Sequence, residues 1–296
     1  MSLYTLRKHN PTIPVSVVMD NITLTSIQGK TIDAISRFAE VLAFETPDEY
    51  NTEKLRSRFL KTSIRKLVSG DFLFLDCDTI VCRAFNDNDF CDLTIGMVAD
   101  LNASLSLSDE KTLEKCKNAG FLDLQGAPYF NSGFSFVKDS PIAFRFYDTW
   151  HKLWCESIRQ GCSYDQPALC EANRQLDYPI IEISGRWNCQ IKYSGSSRFL
   201  RDAVVLHYFA ADGSAQRPFH EEELLGRVRD NGIDSTVEAV LNSSPEVLAA
   251  FFGQKSDNVL RFLGTDMFSV FIEDRPTFRF AERIARCIHR IKTRMH

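Results

Sequence analysis

The chain contains no run of 18 consecutive apolar residues, which excludes an ordinary transmembrane helix. Its first residues lack the apolar core of a signal peptide. No Cys-x-x-Cys pair occurs among the nine cysteines, which are odd in number and scattered. That pattern indicates neither a zinc site nor a disulfide framework, and it reads as reduced thiols of a cytosolic protein. Charge of one sign is not in excess. The 35 Lys and Arg residues stand against 39 Asp and Glu, a net charge of −4, so nothing global attracts nucleic acid. Internal repeats and low-complexity linkers are also missing. What is present is 44% apolar residues over 296 positions, enough for one large α/β domain or a domain with an appendage.

The most informative stretch is Phe72-Leu73-Phe74-Leu75-Asp76-Cys77-Asp78-Thr79-Ile80-Val81. Its apolar residues predict a buried strand, and the period of two along a strand sends Asp76 and Asp78 to one side, with Cys77 on the other. Two hard oxygen donors so placed suit Mg²⁺ or Mn²⁺, which keep open positions for substrate phosphates. In an open α/β sheet, ligands bind at the carboxyl ends of strands. A plain strand-to-loop junction, where Asp is common, accounts for the same residues.

Along the chain, residues 2–9 suggest a helix closed by Asn10-Pro11, and Ile13 to Met19 a strand ending at Asp20. Apolar spacing predicts helices over about 31–44 and 52–68, the second ended by Ser69-Gly70. Strands are expected at 93–99 and at 129–137, the latter interrupted by Asn131-Ser132-Gly133. A long amphipathic helix begins at Pro141, a shorter one spans 165–175, and strands follow at 179–183 and 203–208. Strands alternating with helices predict a mainly parallel sheet with helices on both faces. From about residue 219 helical patterns dominate. The expected division is 1–220 for the α/β domain and 221–296 for a helical C-terminal appendage.

Four further clusters offer chemistry beside the acidic pair. Arg58, Lys61 and Arg65 recur at helical spacing just upstream, so one face of that helix leans toward a diphosphate or forms an ordinary solvated basic face. In Tyr129-Phe130-Asn131-Ser132-Gly133-Phe134, Gly133 permits a close approach and Asn131 offers a donor and an acceptor to a sugar, although a bulge would use the same residues. In Ser163-Tyr164-Asp165-Gln166-Pro167, a carboxylate and an amide open a helix, and helix capping is the better explanation of Asp165 taken alone. Val204-Val205-Leu206-His207 ends a strand on an imidazole, a good third ligand for Mn²⁺, although a lone His after a strand is more often structural.

Taken together over residues 1–220, these clusters resemble a glycosyltransferase of the GT-A fold, in particular the retaining galactosyl- and glucosyltransferases of family 8 and its bacterial lipopolysaccharide enzymes. The resemblance implies that Asp76 and Asp78 form a DxD motif binding Mn²⁺ (or Mg²⁺) and the nucleotide diphosphate, with His207 as third metal ligand. It implies that Arg58 and Lys61 approach the donor, that Asn131 and Gly133 of the Phe-Asn-Ser-Gly segment meet the donor sugar, and that Asp165-Gln166 sits beside the reacting sugar. Asp100 falls where the family often has a donor-sugar carboxylate. The implied reaction moves a hexose from a nucleotide sugar, with UDP as the nucleotide, to a glycan or lipid-linked acceptor with retention of configuration. Two departures stand out. The family opens with a nucleotide-binding strand ahead of Leu6-Arg7-Lys8-His9-Asn10-Pro11, whereas Met1 here stands almost inside that helix, so the first strand is missing. The family's His-x-x-Gly-x-x-Lys-Pro-Trp loop is longer here, and Arg217 replaces the Lys as the phosphate clamp.

Residues 275–296 carry Arg275, Arg279, Arg283, Arg286, Arg290, Lys292 and Arg294 against the single acid Glu282, with Phe280, Ile284, Ile288 and Ile291 on one stripe. A helix so patterned lies on an anionic membrane surface or packs on the catalytic domain with its basic face in water. Cytoplasmic location, peripheral on a membrane, follows from the first case. Two other readings compete for the chain as a whole: a nucleotide-sugar-binding protein impaired in turnover, and a haloacid-dehalogenase-type phosphatase. The phosphatase pattern needs Gly-Thr after the second Asp, where this chain has Thr79-Ile80.

Overall fold

The structure, a computed structural model, describes residues 1–27, 29–209 and 219–252. Arg217 and the basic stretch 275–296 lie outside the described residues. The chain opens with α1 (Ser2–His9), closed where the backbone N–H of Asn10 bonds to Leu6. β1 (Ser16–Asp20) runs straight into α2 (Asn21–Ser26), because the Asp20 carboxylate accepts the Thr23 N–H and caps it. α3 (Lys30–Ser36) follows, then β2 (Glu40–Phe44). The single helix expected over 31–44 is therefore corrected. Its second half pairs in parallel with β1, from Ser16 opposite Glu40 to Asp20 opposite Phe44. An open ladder beside Val41 and Leu42 outweighs a helical spacing that propensity alone supports weakly.

α4 (Glu53–Leu67) is capped by Thr52 and tied to the end of β1 by a buried ion pair, Arg56 to Asp20 at 2.9 Å. The buried strand expected to end at the acidic pair is β3 (Phe72–Leu75), and the residues beyond the pair form a further strand, β4 (Thr79–Val81), in a different sheet. Then come β5 (Ile95–Ala99), α5 (Glu110–Asn118), β6 (Phe130–Val137), α6 (Pro141–Arg159), α7 (Gln166–Gln175), β7 (Ile180–Glu182), β8 (Cys189–Gln190) and β9 (Val205–His207). Besides the β1-β2 pair, a four-stranded sheet has the order β3-β6-β5-β7 and a three-stranded sheet the order β4-β9-β8.

The α/β class is as expected, but the sheet is mixed and not mainly parallel. β1/β2, β5/β7 and β8/β9 are parallel, whereas β3/β6, β5/β6 and β4/β9 are antiparallel. The cause is the excursion through residues 100–129. It leaves β5 at its carboxyl end and returns to that same end, with Phe130 opposite Ala99, so β6 must run backwards. The expected interruption at 131–133 is a register jump. Met97 faces Ser135 while the next residue, Val98, faces Asn131, so Ser132, Gly133 and Phe134 bulge from the β5 ladder.

Helices α4, α6 and α7 bury Ile64, Phe146, Trp150, Trp154 and Leu169 against Ile95, Met97, Phe130 and Val137. Truncating either tryptophan to Ala would cost roughly 3–5 kcal/mol. A second core of Val81, Phe90, Phe134, Trp187 and Val205 joins the two sheets. Between residues 219 and 252 the chain forms α8 (Phe219–Asn231), α9 (Ser235–Leu241) and α10 (Pro245–Phe252). They bring Leu224, Val237, Leu241, Leu248 and Phe252 onto Ile80, Leu206 and Tyr208. No helix among the described residues is long and apolar enough to cross a membrane.

Candidate metal and donor site

The bend between β3 and β4 lies where the two sheets meet. The Asp76 N–H donates to the Gly133 carbonyl at 2.9 Å, prolonging the β3/β6 ladder by one step. On the other side Thr79 pairs with His207, and the Tyr208 N–H donates to the Asp78 carbonyl at 3.0 Å. The acidic pair is thus fixed from both sheets. Asp76 and Asp78 converge because two ladders grip the bend, and not because they alternate along one strand.

Asp76, Asp78 and His207 each place one ligand atom within 4.8 Å of the other two. An octahedral ion with bonds of about 2.1 Å has ligands about 3 to 4.2 Å apart, so small side-chain shifts suffice for the set to fit one. Two carboxylates and an imidazole are a donor set able to hold a divalent cation. Gly133 is the floor of this cradle: a Cβ there would stand 2.4 Å from His207 Cε1 and 2.9 Å from Asp76 Oδ2. The His207 ring stacks on Phe209, with centroids 3.9 Å apart and planes at 13°.

Lys61 ion-pairs with Asp76 at 2.7 Å through a side chain only 12% exposed. Burial disfavours its charge, but Asp76, Asp165 and Asp78 outweigh burial and hold its pKa above the usual lysine value. Arg58 turns to Asp165 at 3.4 Å and to the Ser163 carbonyl at 2.6 Å. Arg65 does not join them. It is buried at the end of α4, where it donates to the carbonyls of Val68 and Gly70.

Asp165 stands at the N-cap of α7, yet its side chain makes no capping bond. The capping explanation is therefore corrected: Oδ2 accepts from Ser132 Oγ at 2.7 Å and Oδ1 faces Arg58. Burial opposes its ionisation, but Lys61, Arg58 and Ser132 together keep its pKa below the usual carboxylate value. For Asp78 burial is likewise outweighed, chiefly by its bond to His207 at 3.1 Å, and the pKa falls to about 2. Asp100 goes the other way. Burial raises it, and hydrogen bonds from Asn131 and Gln166 only partly offset that. Gln166 Nε2 also donates to the Phe130 carbonyl at 3.0 Å.

Asp100 is aimed by a strained turn. Leu101 and Asn102 both have left-handed backbones, φ 58° and 48°. Such pairs persist only where surroundings over-determine them. Here Asn102 donates to the Asn188 carbonyl at 2.9 Å and accepts the Gln190 N–H at 2.6 Å, while Gln190 Oε1 takes the Leu101 N–H at 2.8 Å. Gly195 is packed so close that a Cβ would meet Asn102 O at 2.3 Å.

Sequence reasoning missed Asn188 and gave Ser132 no role. Asn188 is fully buried and links Asn131 to His207 by hydrogen bonds of 2.8 and 3.0 Å. It follows Trp187 in an undistinguished stretch, and one sequence carries no signal for an amide whose partners are 57 and 19 positions away.

No family model and no curated protein matches the chain. Solved structures similar to it include mouse xyloside xylosyltransferase 1 in its apo form, 14% identical over 73% of this chain and 92% of that one, with a TM-score of 0.45. The galactosyltransferase LgtC in complex with donor and acceptor sugar analogs is 12% identical over 77% and 99%, with a TM-score of 0.45. A glycosyltransferase involved in glycosylation of the major capsid of PBCV-1 is 15% identical over 66% and 93%, with a TM-score of 0.40.

Proposed function

We propose that this chain is a metal-dependent glycosyltransferase of the GT-A type. It moves a hexose from a nucleotide-diphosphate sugar, with UDP as the nucleotide, to a glycan or lipid-linked acceptor, with retention of configuration. The observation that carries the reading is the meeting of Asp76, Asp78 and His207 within 4.8 Å, on a bend gripped by two sheets. The order of the motifs along the chain supports it independently.

In this reading Asp76, Asp78 and His207 hold a divalent ion, which when bound supplies Lewis-acid stabilisation to the departing diphosphate. Lys61 adds a fixed positive charge beside that group, and its ion pairs keep it protonated. Asp165 is ionised at neutral pH because Lys61, Arg58 and Ser132 favour its charged form over the cost of burial, so it can steady positive charge developing on the sugar ring. Gln166, held by the Phe130 carbonyl, orients the sugar from the start of α7. Asn131 and Asp100 form the sugar side, joined to each other at 3.0 Å.

The test is release of nucleotide diphosphate from a panel of nucleotide hexoses with Mn²⁺, beside calorimetric binding of the same panel. Asp76→Ala and Asp78→Ala should each lose on the order of 10² or more in rate, a few kcal/mol of barrier. Turnover at the normal rate in either variant, or no nucleotide-sugar binding by the unaltered chain, would sink the assignment.

A further inference from the structure

Four side chains form one hydrogen-bonded line across the site. Asn131 Nδ2 donates to Asp100 Oδ1 at 3.0 Å, Asn188 Nδ2 donates to Asn131 Oδ1 at 2.8 Å, and His207 Nδ1 lies 3.0 Å from Asn188 Oδ1. The direction of this line is not a free choice. Asp100 can only accept at its end, because its carboxylate carries no donor when ionised. The Gly133 backbone N–H donates to Asn131 Oδ1 at 3.0 Å, and a backbone N–H can only donate. Asn131 must therefore present its oxygen to Gly133 and Asn188, and its nitrogen to Asp100. Asn188 must then present its nitrogen to Asn131, which leaves its oxygen facing His207. An oxygen there requires a proton on His207 Nδ1.

We infer that Asn188 is a positioning residue: it holds the imidazole of His207 with the proton on Nδ1, so that Nε2 faces Asp78 as the nitrogen able to bind a divalent cation. The consequence for the cation rests on the function proposed above, whereas the placement of the proton does not. The other ring nitrogen sets which one can ligate, and residues behind metal-bound histidines are worth roughly 10–100-fold in metal affinity. Removing Asn188 leaves Asp78, 3.1 Å from Nε2, as the remaining acceptor of the ring. Nδ1 then has no acceptor for its proton, and the ring keeps only the contact through Nε2 that a cation would have to take over. Phe209 stacks on the ring face and offers no competing polar group.

The experiment uses the full chain labelled with ¹⁵N-histidine, with His207→Gln to assign the resonance. Long-range ¹H–¹⁵N spectra are recorded without metal and at saturating Mg²⁺, with Mg²⁺ affinity from calorimetry. In the unaltered chain Nδ1 is expected to be protonated under both conditions. Asn188→Leu should leave Nδ1 bare and weaken Mg²⁺ binding by roughly 10–100-fold. Asn188→Asp keeps an oxygen acceptor and should keep the proton on Nδ1. A bare Nδ1 in the unaltered chain, or an unchanged ring in Asn188→Leu, overturns the inference. Should Asn188→Leu not fold, the unaltered chain and Asn188→Asp still decide it. Protonated Nδ1 with no Mg²⁺ or Mn²⁺ binding would leave the positioning role standing and remove the metal from the proposed function.

Discussion

Gly133 and His207 are in contact so close that no other residue fits between them: a Cβ on position 133 would lie 2.4 Å from Cε1 and 2.8 Å from Nδ1 of the ring. The same Cβ would crowd Asp76 Oδ2 at 2.9 Å. β6 is buried along its whole length, so the strand cannot back away. Gly133→Ala should therefore displace the imidazole and the carboxylate together. Overpacking of this kind costs about 1–3 kcal/mol, or roughly 2–10 °C in Tm for a chain of this size. Mn²⁺ affinity should fall at least about tenfold. Thermal melts with and without Mn²⁺ check both parts, and a melt unchanged by the substitution would contradict the close contact.

In the proposed function, Lys61 and a divalent cation would compete for one carboxylate. In this structure the ammonium group holds Asp76 at 2.7 Å and stands near Asp165 and Asp78. Lys61→Met leaves those three acids without their shared cation, so the metal-free protein should melt several degrees lower at neutral pH. A divalent ion then gains a site with less positive charge beside it, and the rise in Tm on adding Mn²⁺ should exceed that of the unaltered chain. Donor turnover should nevertheless fall, because the fixed charge beside the leaving diphosphate is gone. An unchanged metal-induced rise would show that Lys61 and the ion act at separate places.

The contrast between Asp165 and Asn188 shows what the sequence could and could not disclose. The helix start at Gln166 is readable from Pro167 and its neighbours, and local pattern alone explains the carboxylate before it as a cap, whereas the family resemblance sets it beside the sugar. Its real partners, Ser132 and Arg58, lie 33 and 107 positions away and are invisible to local pattern. The strand ends at Asp76 and His207 were legible because apolar runs stop abruptly on a polar residue. That a strand of a different sheet begins just past Asp78 was not legible, since Thr79-Ile80-Val81 is too short a run to mark one. The helix misread over 31–44 failed for a related reason: the helical spacing of Ile35, Phe38 and Leu42 says nothing of the β1 ladder that captures Glu40–Phe44.

Asp165 gives the protein an acid limb of predictable sign. Its folded pKa lies below the ordinary value of 3.8, since Lys61, Arg58 and Ser132 outweigh burial. The unfolded chain therefore binds the proton more readily, and ionised Asp165 stabilises the fold above about pH 4. That stability drains away as pH falls through the depressed folded value. Urea midpoints of the unaltered chain and Asp165→Asn, measured from pH 7 to pH 2, should differ most at the neutral end and converge at the acid end. Curves that stay parallel throughout would mean that Asp165 is not held by its cations.

Asp100 has the opposite sign, and that separates stability from function at one residue. Burial raises its pKa despite bonds from Asn131 and Gln166, so the folded chain binds this proton more readily than the unfolded chain does. Its contribution is favourable at low pH and is lost as pH rises through the raised value, which makes the carboxylate a cost at neutral pH. Asn at this position keeps an oxygen for Asn131 Nδ2, which now lies 3.0 Å from the carboxylate. Asp100→Asn should accordingly melt higher than the unaltered chain at pH 7, with the difference vanishing below about pH 4. If Asp100 serves the donor sugar, the same variant should bind nucleotide sugar more weakly, because a neutral amide replaces an acceptor-only group. Residues kept at a cost in stability are those that function requires. A variant both more stable and equal in donor affinity would place Asp100 in the scaffold of the turn at Leu101–Asn102, not against the sugar.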